Sequence, residues 1–150
     1  MKRMLSIVLL SFTSLVSAQI VFDTLDGRHI SLASLANKQI VINYWADWCD
    51  PCVKEIKSLN DFYHTYRQSV ALFAVNYDQP SLSSQRKAAH SHHIKYPSLA
   101  TNPAKMLALG DINVVPATFI LNPDGKVVKT LYGPQTAESL SKELTLAKSD

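Results

Sequence analysis

A pair of cysteines three positions apart constrains the fold of this chain more than any other feature. Cys49 and Cys52 are the only cysteines, and they enclose an Asp-Pro dipeptide. The pair follows an apolar, β-branched run at 39–45 and precedes a helical pattern over 51–66. The order strand, CxxC, helix is typical of a redox motif. With no cysteine elsewhere in the sequence, neither a wider disulfide framework nor a four-thiolate zinc site can form.

The spacing of the two cysteines suits thiol–disulfide chemistry. Three residues make about one helical turn, so both sulfurs can meet while Cys49 stays at the helix N-terminus. There the free N–H groups and the helix dipole favour a thiolate, which is the attacking species in exchange. We therefore expect Cys49 to attack and Cys52 to resolve, with Pro51 stiffening the first turn. The carboxylate of Asp50 disfavours the thiolate of Cys49, which favours a reductant. An inert structural disulfide and a metal-binding thiolate pair are the alternatives.

One acidic side chain falls on the buried side of the helix that follows the motif. When positions advance by about 100° per residue from Cys52, the apolar residues form one stripe and Glu55 lies inside it. The charged residues Lys54, Lys57 and Asp61 fall on the opposite side. Burial would raise the pKa of Glu55 and let it take or return the proton of Cys52. The alternative is a glutamate at the edge of the stripe whose carboxylate reaches water.

The N-terminus has the features of a secretory leader. Two basic residues precede an apolar run over 4–16, and small residues follow at 17 and 18. This run is shorter than the roughly 20 residues that span a membrane. We therefore predict a signal peptide at 1–18, cleaved after Ala18, and a single globular domain at 19–150 in the bacterial periplasm. A membrane anchor formed by residues 4–16 is the alternative.

Charge and composition argue against a nucleic-acid partner and against disorder. The chain of 150 residues is 47% apolar, which is enough for a packed core, and its net charge is +3. Removal of residues 1–18 leaves 13 basic and 12 acidic side chains, a net charge of +1. Such a balance lacks the positive field that nucleic-acid binding needs.

Three histidines near the end of a predicted helix, His90, His92 and His93, form a candidate metal site. Their position near a helix C-terminus explains them without a metal, because imidazolium is favoured there. We therefore predict no metal site. A copper-handling protein that binds through its thiol pair is an alternative function, but the methionines do not form the Met-rich site that such a protein would use.

The rest of the pattern alternates strands with helices, which predicts a three-layer α/β domain with a mixed sheet. An Asn-Pro-Asp-Gly turn at 122–125 joins the last two strands as a hairpin. Pro116 stands at the start of a strand, where proline is tolerated. The predicted strands are 20–25, 29–30, 39–45, 70–76, 118–121 and 126–132, and the predicted helices are 32–37, 51–66, 82–93, 103–109 and 137–147.

Three features of the chain agree in their spacing with one known family. They are the segment NYWADWCDPC at 43–52, then Glu55, and the segment VPATFI at 115–120, about 64 residues after Cys52 and ahead of the Asp-Gly hairpin. Together, and over nearly the whole mature chain, they resemble the thioredoxin-like TlpA/ResA group of extracytoplasmic thiol–disulfide oxidoreductases.

The resemblance implies a thioredoxin-like fold, with a central mixed sheet, helices on both faces and an N-terminal β-hairpin extension. It also implies that Val115 and Pro116 form a cis-proline loop facing the disulfide. The backbone of Val115 would then pair with an extended substrate segment, a form of strand addition. Trp48, beside Asp50 and Pro51, would complete the substrate-binding surface.

The resemblance further implies a reductant of protein disulfides that needs no cofactor beyond the Cys49–Cys52 disulfide. Members of the group serve cytochrome c maturation or metal-centre assembly, and a membrane electron donor of the DsbD or CcdA type keeps them reduced. Asn43 stands where thioredoxin has a buried aspartate, so the role of buried acid passes to Glu55. We expect a monomer. A disulfide oxidase or isomerase would share every one of these residues and differ only in potential.

Overall fold

A computed structural model describes residues 19–147 of the protein. The predicted leader at 1–18 lies outside the described residues. Between 19 and 147 no helix has the length and apolar character needed to cross a membrane. In chain order the elements are β1 (Val21–Asp23), β2 (His29–Ser31), a 3₁₀-helix (Leu32–Leu35), β3 (Gln39–Trp45), α1 (Asp50–Tyr66), β4 (Val70–Asn76), α2 (Leu82–Ser91), β5 (Ala117–Leu121), β6 (Val127–Tyr132) and α3 (Ala137–Leu146).

The central sheet has the strand order β4-β3-β5-β6. Strands β3 and β4 are parallel, whereas β5 pairs antiparallel with both β3 and β6, so the sheet is mixed as predicted. A parallel pair needs a crossover connection, and α1 lies in the one between β3 and β4. The strands β1 and β2 form a separate antiparallel pair, which is the predicted N-terminal hairpin.

Alternating side chains of β3 divide the core into two layers. Val41 and Trp45 pack with α1 and α3 on one face of the sheet, where Ala88 of α2 also contributes. Ile42 and Tyr44 point to the other face, which the N-terminal hairpin, the 3₁₀-helix and the segment 97–112 cover. The predicted three-layer architecture is therefore confirmed.

Helix α1 begins directly after Cys49, which is its N-cap residue, and has proline in its first turn. It ends at Tyr66, where the N–H of the C-cap residue Arg67 donates to the Tyr63 carbonyl. Its buried residues follow the stripe that the sequence predicts: Cys52, Glu55, Ile56, Leu59 and Phe62. The helix therefore holds one cysteine at its end and the other inside the core.

The predicted helix at 103–109 is wrong. The Leu107 N–H donates to the Pro103 carbonyl at 2.9 Å, which closes one turn, but Ala108 then takes a positive φ of 50°. A left-handed residue cannot continue a right-handed helix, so the segment remains a turn that seats Leu107 in the core. Helix α2 ends at Ser91, short of the predicted 93, and His93 has a φ of 56°.

The start of α3 matters for the site because it fixes the residues just before it. Thr136 is the N-cap residue, and its side chain and that of Ser139 bond reciprocally to the backbone in a capping box. The Ala137 N–H donates to the Ser58 hydroxyl of α1 at 2.9 Å. The connection between β6 and α3, residues 133–136, is therefore held against α1.

Candidate active site

Cys49 and Cys52 form a disulfide at the N-terminus of α1, with their Cα atoms 5.2 Å apart. The Cys49 sulfur accepts a hydrogen bond from the Cys52 N–H at 3.3 Å, as expected of a sulfur at a helix N-cap. Cys49 retains 5% exposure, while Cys52 has none. An incoming sulfur therefore meets Cys49 first. Asp50 and Pro51, between the two cysteines, are both exposed.

The segment ahead of β5 lies against this disulfide. The Val115 carbonyl oxygen is 3.7 Å from the Cys49 sulfur, and the Val115–Pro116 peptide bond is cis. The Gly133 N–H donates to the Pro116 carbonyl at 2.9 Å, which ties this loop to the connection that precedes α3. Pro116 is buried and Val115 is half-buried.

Large apolar side chains are exposed on the segments next to the disulfide and to the proline loop. Trp48, next to Cys49, is 63% exposed, and its indole N–H donates to the Asp78 carboxylate at 2.7 Å. Val114, next to the cis-proline pair, and Tyr132, next to Gly133, are also exposed. We call Trp48, Val114 and Tyr132 the apolar rim. Exposed apolar groups beside a reactive bond are suited to contact another polypeptide.

Glu55 is buried one helical turn beyond Cys52, which confirms the interior position that the sequence predicts. Its Oε1 accepts from the Asn43 amide at 2.7 Å, and its Oε2 accepts from the Gln135 N–H at 2.6 Å. Burial raises the pKa of Glu55 to about 7, although the bonds from Gln135 and Asn43 act in the opposite direction. The carboxyl can therefore exchange a proton near neutral pH.

The two partners of Glu55 come from β3 and from the connection between β6 and α3. Asn43 of β3 and Thr118 of β5 are cross-strand neighbours, and the Asn43 amide also donates to the Thr118 hydroxyl at 3.1 Å. The Asn43 Oδ1 is buried and accepts no hydrogen bond within residues 19–147. We call Glu55, Asn43, Thr118 and Gln135 the acid pocket. Both N–H groups of the Asn43 amide are used, so this side chain holds Glu55 and the sheet together.

Tyr96 is a second buried titratable group on this side of the sheet. Burial raises its pKa, and the negative charge of Glu55 raises it further. Its hydroxyl is buried and has no hydrogen-bond partner among the described residues. Because an ionised Tyr96 and an ionised Glu55 would repel each other, the neutral phenol is the form that accompanies a charged Glu55.

Sequence reasoning placed several of these residues but not their partners. The structure brings together Cys49, Cys52, Val115 and Pro116, and it places Trp48, Asp50 and Pro51 at the same end of α1. The contact of Trp48 with Asp78, that of Asn43 with Thr118 and that of Glu55 with the Gln135 backbone were missed. The alternation of β3 puts Asn43 on the α1 face and could have indicated the first partner of Glu55.

The histidines do not form a cluster of ligands. His92 packs edge-on against Trp45, with ring centroids 5.5 Å apart, and the His93 carbonyl accepts from Asn60 at 2.8 Å. In the part of the chain that the structure describes, no three His, Cys, Asp or Glu side chains are placed to hold a metal ion.

The fold and the site together define a thioredoxin-like thiol–disulfide oxidoreductase, with a CxxC disulfide at a helix N-terminus and a proline loop against it. The chain belongs to the AhpC/TSA family, whose model matches residues 14–130. It is similar to the thiol-disulfide oxidoreductase ResA of Bacillus subtilis (strain 168), with 30% identity over 129 residues that cover 85% of this chain and 72% of ResA.

Two further similarities agree with this family. ResA of Geobacillus thermodenitrificans (strain NG80-2) is 30% identical over 129 residues, covering 85% of this chain and 74% of the relative. The crystal structure of StoA from Bacillus subtilis superposes with a TM-score of 0.69 at 27% identity, covering 85% of this chain and 96% of StoA. The protein is thus an enzyme of thiol–disulfide exchange, and enzymes of this class act on protein thiols and disulfides.

Proposed function

We propose that the protein is a dithiol reductant of protein disulfides in the periplasm. The observation that carries the proposal is the unlike surroundings of its two sulfurs. Cys49 lies at the apolar rim, and Cys52 is sealed in the core one turn before Glu55. The exposed carboxylate of Asp50, next to Cys49, supports the reducing direction because it disfavours the thiolate and so the reduced form releases electrons more readily.

In the first step the Cys49 thiolate attacks one sulfur of a client disulfide. A Cys49–client mixed disulfide forms, the client disulfide breaks, and the other client sulfur leaves as a thiolate that takes up a proton. The helix N-terminus favours the attacking thiolate, since the Cys52 N–H points at the Cys49 sulfur from 3.3 Å.

In the second step Cys52 resolves the mixed disulfide. Glu55 takes the proton of the Cys52 thiol, and the resulting thiolate attacks the Cys49 sulfur. The Cys49–Cys52 disulfide forms, the bond to the client breaks, and the second client sulfur leaves as a thiolate, which is protonated. Two electrons pass from the protein to the client. The Cys49–Cys52 pair is the redox group, and no cofactor or metal takes part.

The client chain lies across the rim and the proline loop. The backbone of Val115 pairs with an extended client segment beside Pro116, which places the client disulfide over Cys49. Trp48 contacts apolar side chains of the client. Asp50 and Pro51, the exposed residues between the two cysteines, complete the surface that the client contacts. The position of the Val115 carbonyl, 3.7 Å from the Cys49 sulfur, supports this alignment.

The proposed location follows from the predicted leader, and the proposed partners follow from the resemblance to the TlpA/ResA group. Export with residues 1–18, cleavage after Ala18 and folding of 19–150 as one domain would deliver a monomer to the periplasm. A membrane electron donor of the DsbD or CcdA type would return it to the dithiol form after each turnover. Its clients are oxidised proteins of cytochrome c maturation or of metal-centre assembly.

The proposal is tested by mixing the reduced protein with a peptide that contains one disulfide and following release of peptide thiols against pH. Glu55→Gln should slow the release of the second peptide thiol about 100-fold at pH 7 and remove the inflection of that step near pH 7, because the proton acceptor for Cys52 is gone. Glu138→Gln, which changes an exposed glutamate of α3, should leave the profile unchanged. An unchanged pH profile in Glu55→Gln would remove the proton-transfer role, and absence of released thiols from the unsubstituted protein would refute the reductant.

A further inference from the structure

The arginines of the described residues all lie on one surface, far from the disulfide. Two adjoining hollows, of about 370 and 130 Å³, meet at Tyr63 and Pro97. The basic residues that line them are Arg28, Lys38, Arg67, Arg86 and Lys95. We call this surface the arginine groove. Arg28 lines both hollows and so lies where they join.

The charge of the groove is uneven compared with the rest of the chain. Within residues 19–147 it holds five of 12 lysines and arginines, but only one of 11 aspartates and glutamates. That one acid, Asp26, is paired with the Arg28 guanidinium at 2.8 Å. A protein with a nearly balanced net charge thus concentrates positive potential in one concave place.

Backbone contacts fix part of the groove and leave other cations available. The Arg86 Nε donates to the Leu25 carbonyl at 2.7 Å, which orients its guanidinium and leaves the terminal N–H groups for another acceptor. Within residues 19–147 the Arg67 guanidinium and the Lys95 ammonium make no hydrogen bond or ion pair. Planar guanidinium groups bind carboxylates with two parallel hydrogen bonds.

The groove lies at the far end of α1 from the active site. Tyr63 is 14 residues beyond Cys49, a distance of about 21 Å along a helix axis. A molecule bound in the groove would therefore leave the apolar rim open. The inference below goes beyond the proposed function, since binding in the groove uses no thiol.

We propose that the arginine groove binds an extended acidic segment of a partner protein. Two hollows in a row with cations along both fit a chain that carries several carboxylates. A membrane surface fits less well, because the groove is concave and none of its lining residues is a large exposed apolar side chain. The apolar rim and the groove thus recognise opposite chemistry at the two ends of α1.

The test measures the fluorescence anisotropy of a labelled ten-glutamate peptide titrated with the oxidised protein at low ionic strength. The variant Arg67→Glu/Lys95→Glu reverses two charges of the groove. Neither side chain makes a hydrogen bond or ion pair within the described residues, so the exchange breaks no such contact. Lys126→Glu/Lys142→Glu makes the same change of net charge elsewhere, at exposed positions outside the groove. The groove variant should bind at least about tenfold more weakly than the unsubstituted protein, and the control less than about twofold more weakly.

Binding should also weaken as salt is raised, since the contacts are ionic. Three results would overturn the proposal: no binding of the peptide at low salt, equal loss in the groove variant and the control, or binding of phosphatidylglycerol vesicles without binding of the peptide. A ten-glutamine peptide that bound as well as the acidic one would overturn it too, because the groove would then not recognise charge. Circular dichroism of both variants checks that the fold is intact.

Discussion

The two sulfurs of one disulfide face two very different regions of this protein. On the side of Cys49 lies the apolar rim, where Trp48, Val114 and Tyr132 are exposed. On the side of Cys52 lies the acid pocket, where Glu55 is buried and held by Asn43 and a backbone N–H. The rim suits contact with another chain, and the pocket suits movement of a proton. In the function we propose, recognition therefore takes place on the Cys49 side of the disulfide and proton transfer on the Cys52 side.

Substitution of each cysteine in turn should have the largest effect, and it tests directly whether the two sulfurs differ in role. Cys49→Ser should abolish transfer of electrons to a disulfide peptide, because the exposed attacking sulfur is gone. Cys52→Ser should instead accumulate a mixed disulfide through Cys49, since nothing resolves it. Mass spectrometry of the two variants after mixing with the peptide separates these outcomes. Accumulation of a mixed disulfide in Cys49→Ser would mean that Cys52 is accessible, and the two sides would not differ.

The acid pocket should make the stability of the oxidised protein depend on pH. The pKa of Glu55 is raised from 4.5 to about 7 by burial, so the folded state binds more protons than the unfolded state between these values. The free energy of unfolding should therefore fall as pH rises from about 4.5 to about 7, by about 3 kcal/mol, and then level off. Glu55→Gln has no carboxyl to ionise, so this part of the pH dependence should vanish.

Urea unfolding of the unsubstituted protein and of Glu55→Gln at several pH values between 4.5 and 8 measures the free energy of unfolding of each. The difference between the two proteins at each pH gives the contribution of Glu55. The disulfide is kept intact so that thiols do not titrate. Parallel curves for the unsubstituted protein and Glu55→Gln would show that Glu55 has an ordinary pKa and that the pocket does not hold a proton.

Asn43 and Thr118 allow a finer test within the pocket. Asn43→Leu removes a donor to the charged carboxylate, so the pKa of Glu55 should rise by about one further unit. Thr118→Val keeps the 2.7 Å bond between Asn43 and Glu55 and should move the pKa much less. The carboxyl carbon resonance of Glu55, followed by NMR against pH, reports both values. Equal shifts in the two variants would assign the effect to packing and not to the bond from Asn43.

The rim should give the smallest effect. Trp48→Ala should raise the KM for a disulfide peptide several-fold and leave kcat unchanged, because only surface contact with the client is lost. Trp48→Phe keeps a ring but loses the N–H that donates to Asp78. Its KM should lie between those of the unsubstituted protein and of Trp48→Ala. Neither variant should move the titration of Glu55. A change of kcat in Trp48→Ala would show that the rim takes part in the chemistry and not in recognition alone.

Local patterns were enough to predict most of the fold and the pairing of Cys49 with Cys52 in a disulfide. The periodicity of α1 placed Glu55 in the core, because a helix of 17 residues repeats its buried face often enough to be read. The helix predicted at 103–109 was wrong for the opposite reason. A segment of that length has too few residues to show a period, and the positive φ of Ala108 could not be anticipated from the sequence.

Apart from the bond between Asn43 and Glu55, the contacts of the acid pocket could not be predicted because they join distant parts of the chain. Gln135 is 80 residues from Glu55 and acts through its backbone N–H, which carries no mark of residue type. Thr118 is 75 residues from Asn43, and their pairing depends on the register between β3 and β5. Motif spacing predicts which residues react, whereas the groups that set the pKa of Glu55 come from tertiary structure.

The equilibrium reduction potential of the Cys49–Cys52 pair tests the central claim, that of a reductant, most directly. The oxidised and reduced forms are equilibrated with glutathione or dithiothreitol buffers and quantified after alkylation, with Cys49→Ser as the control that shows no redox transition. We predict a potential near or below the thioredoxin value of about −270 mV. A value near about −120 mV, at the oxidising end of known CxxC proteins, would contradict the reductant and assign the site to disulfide formation.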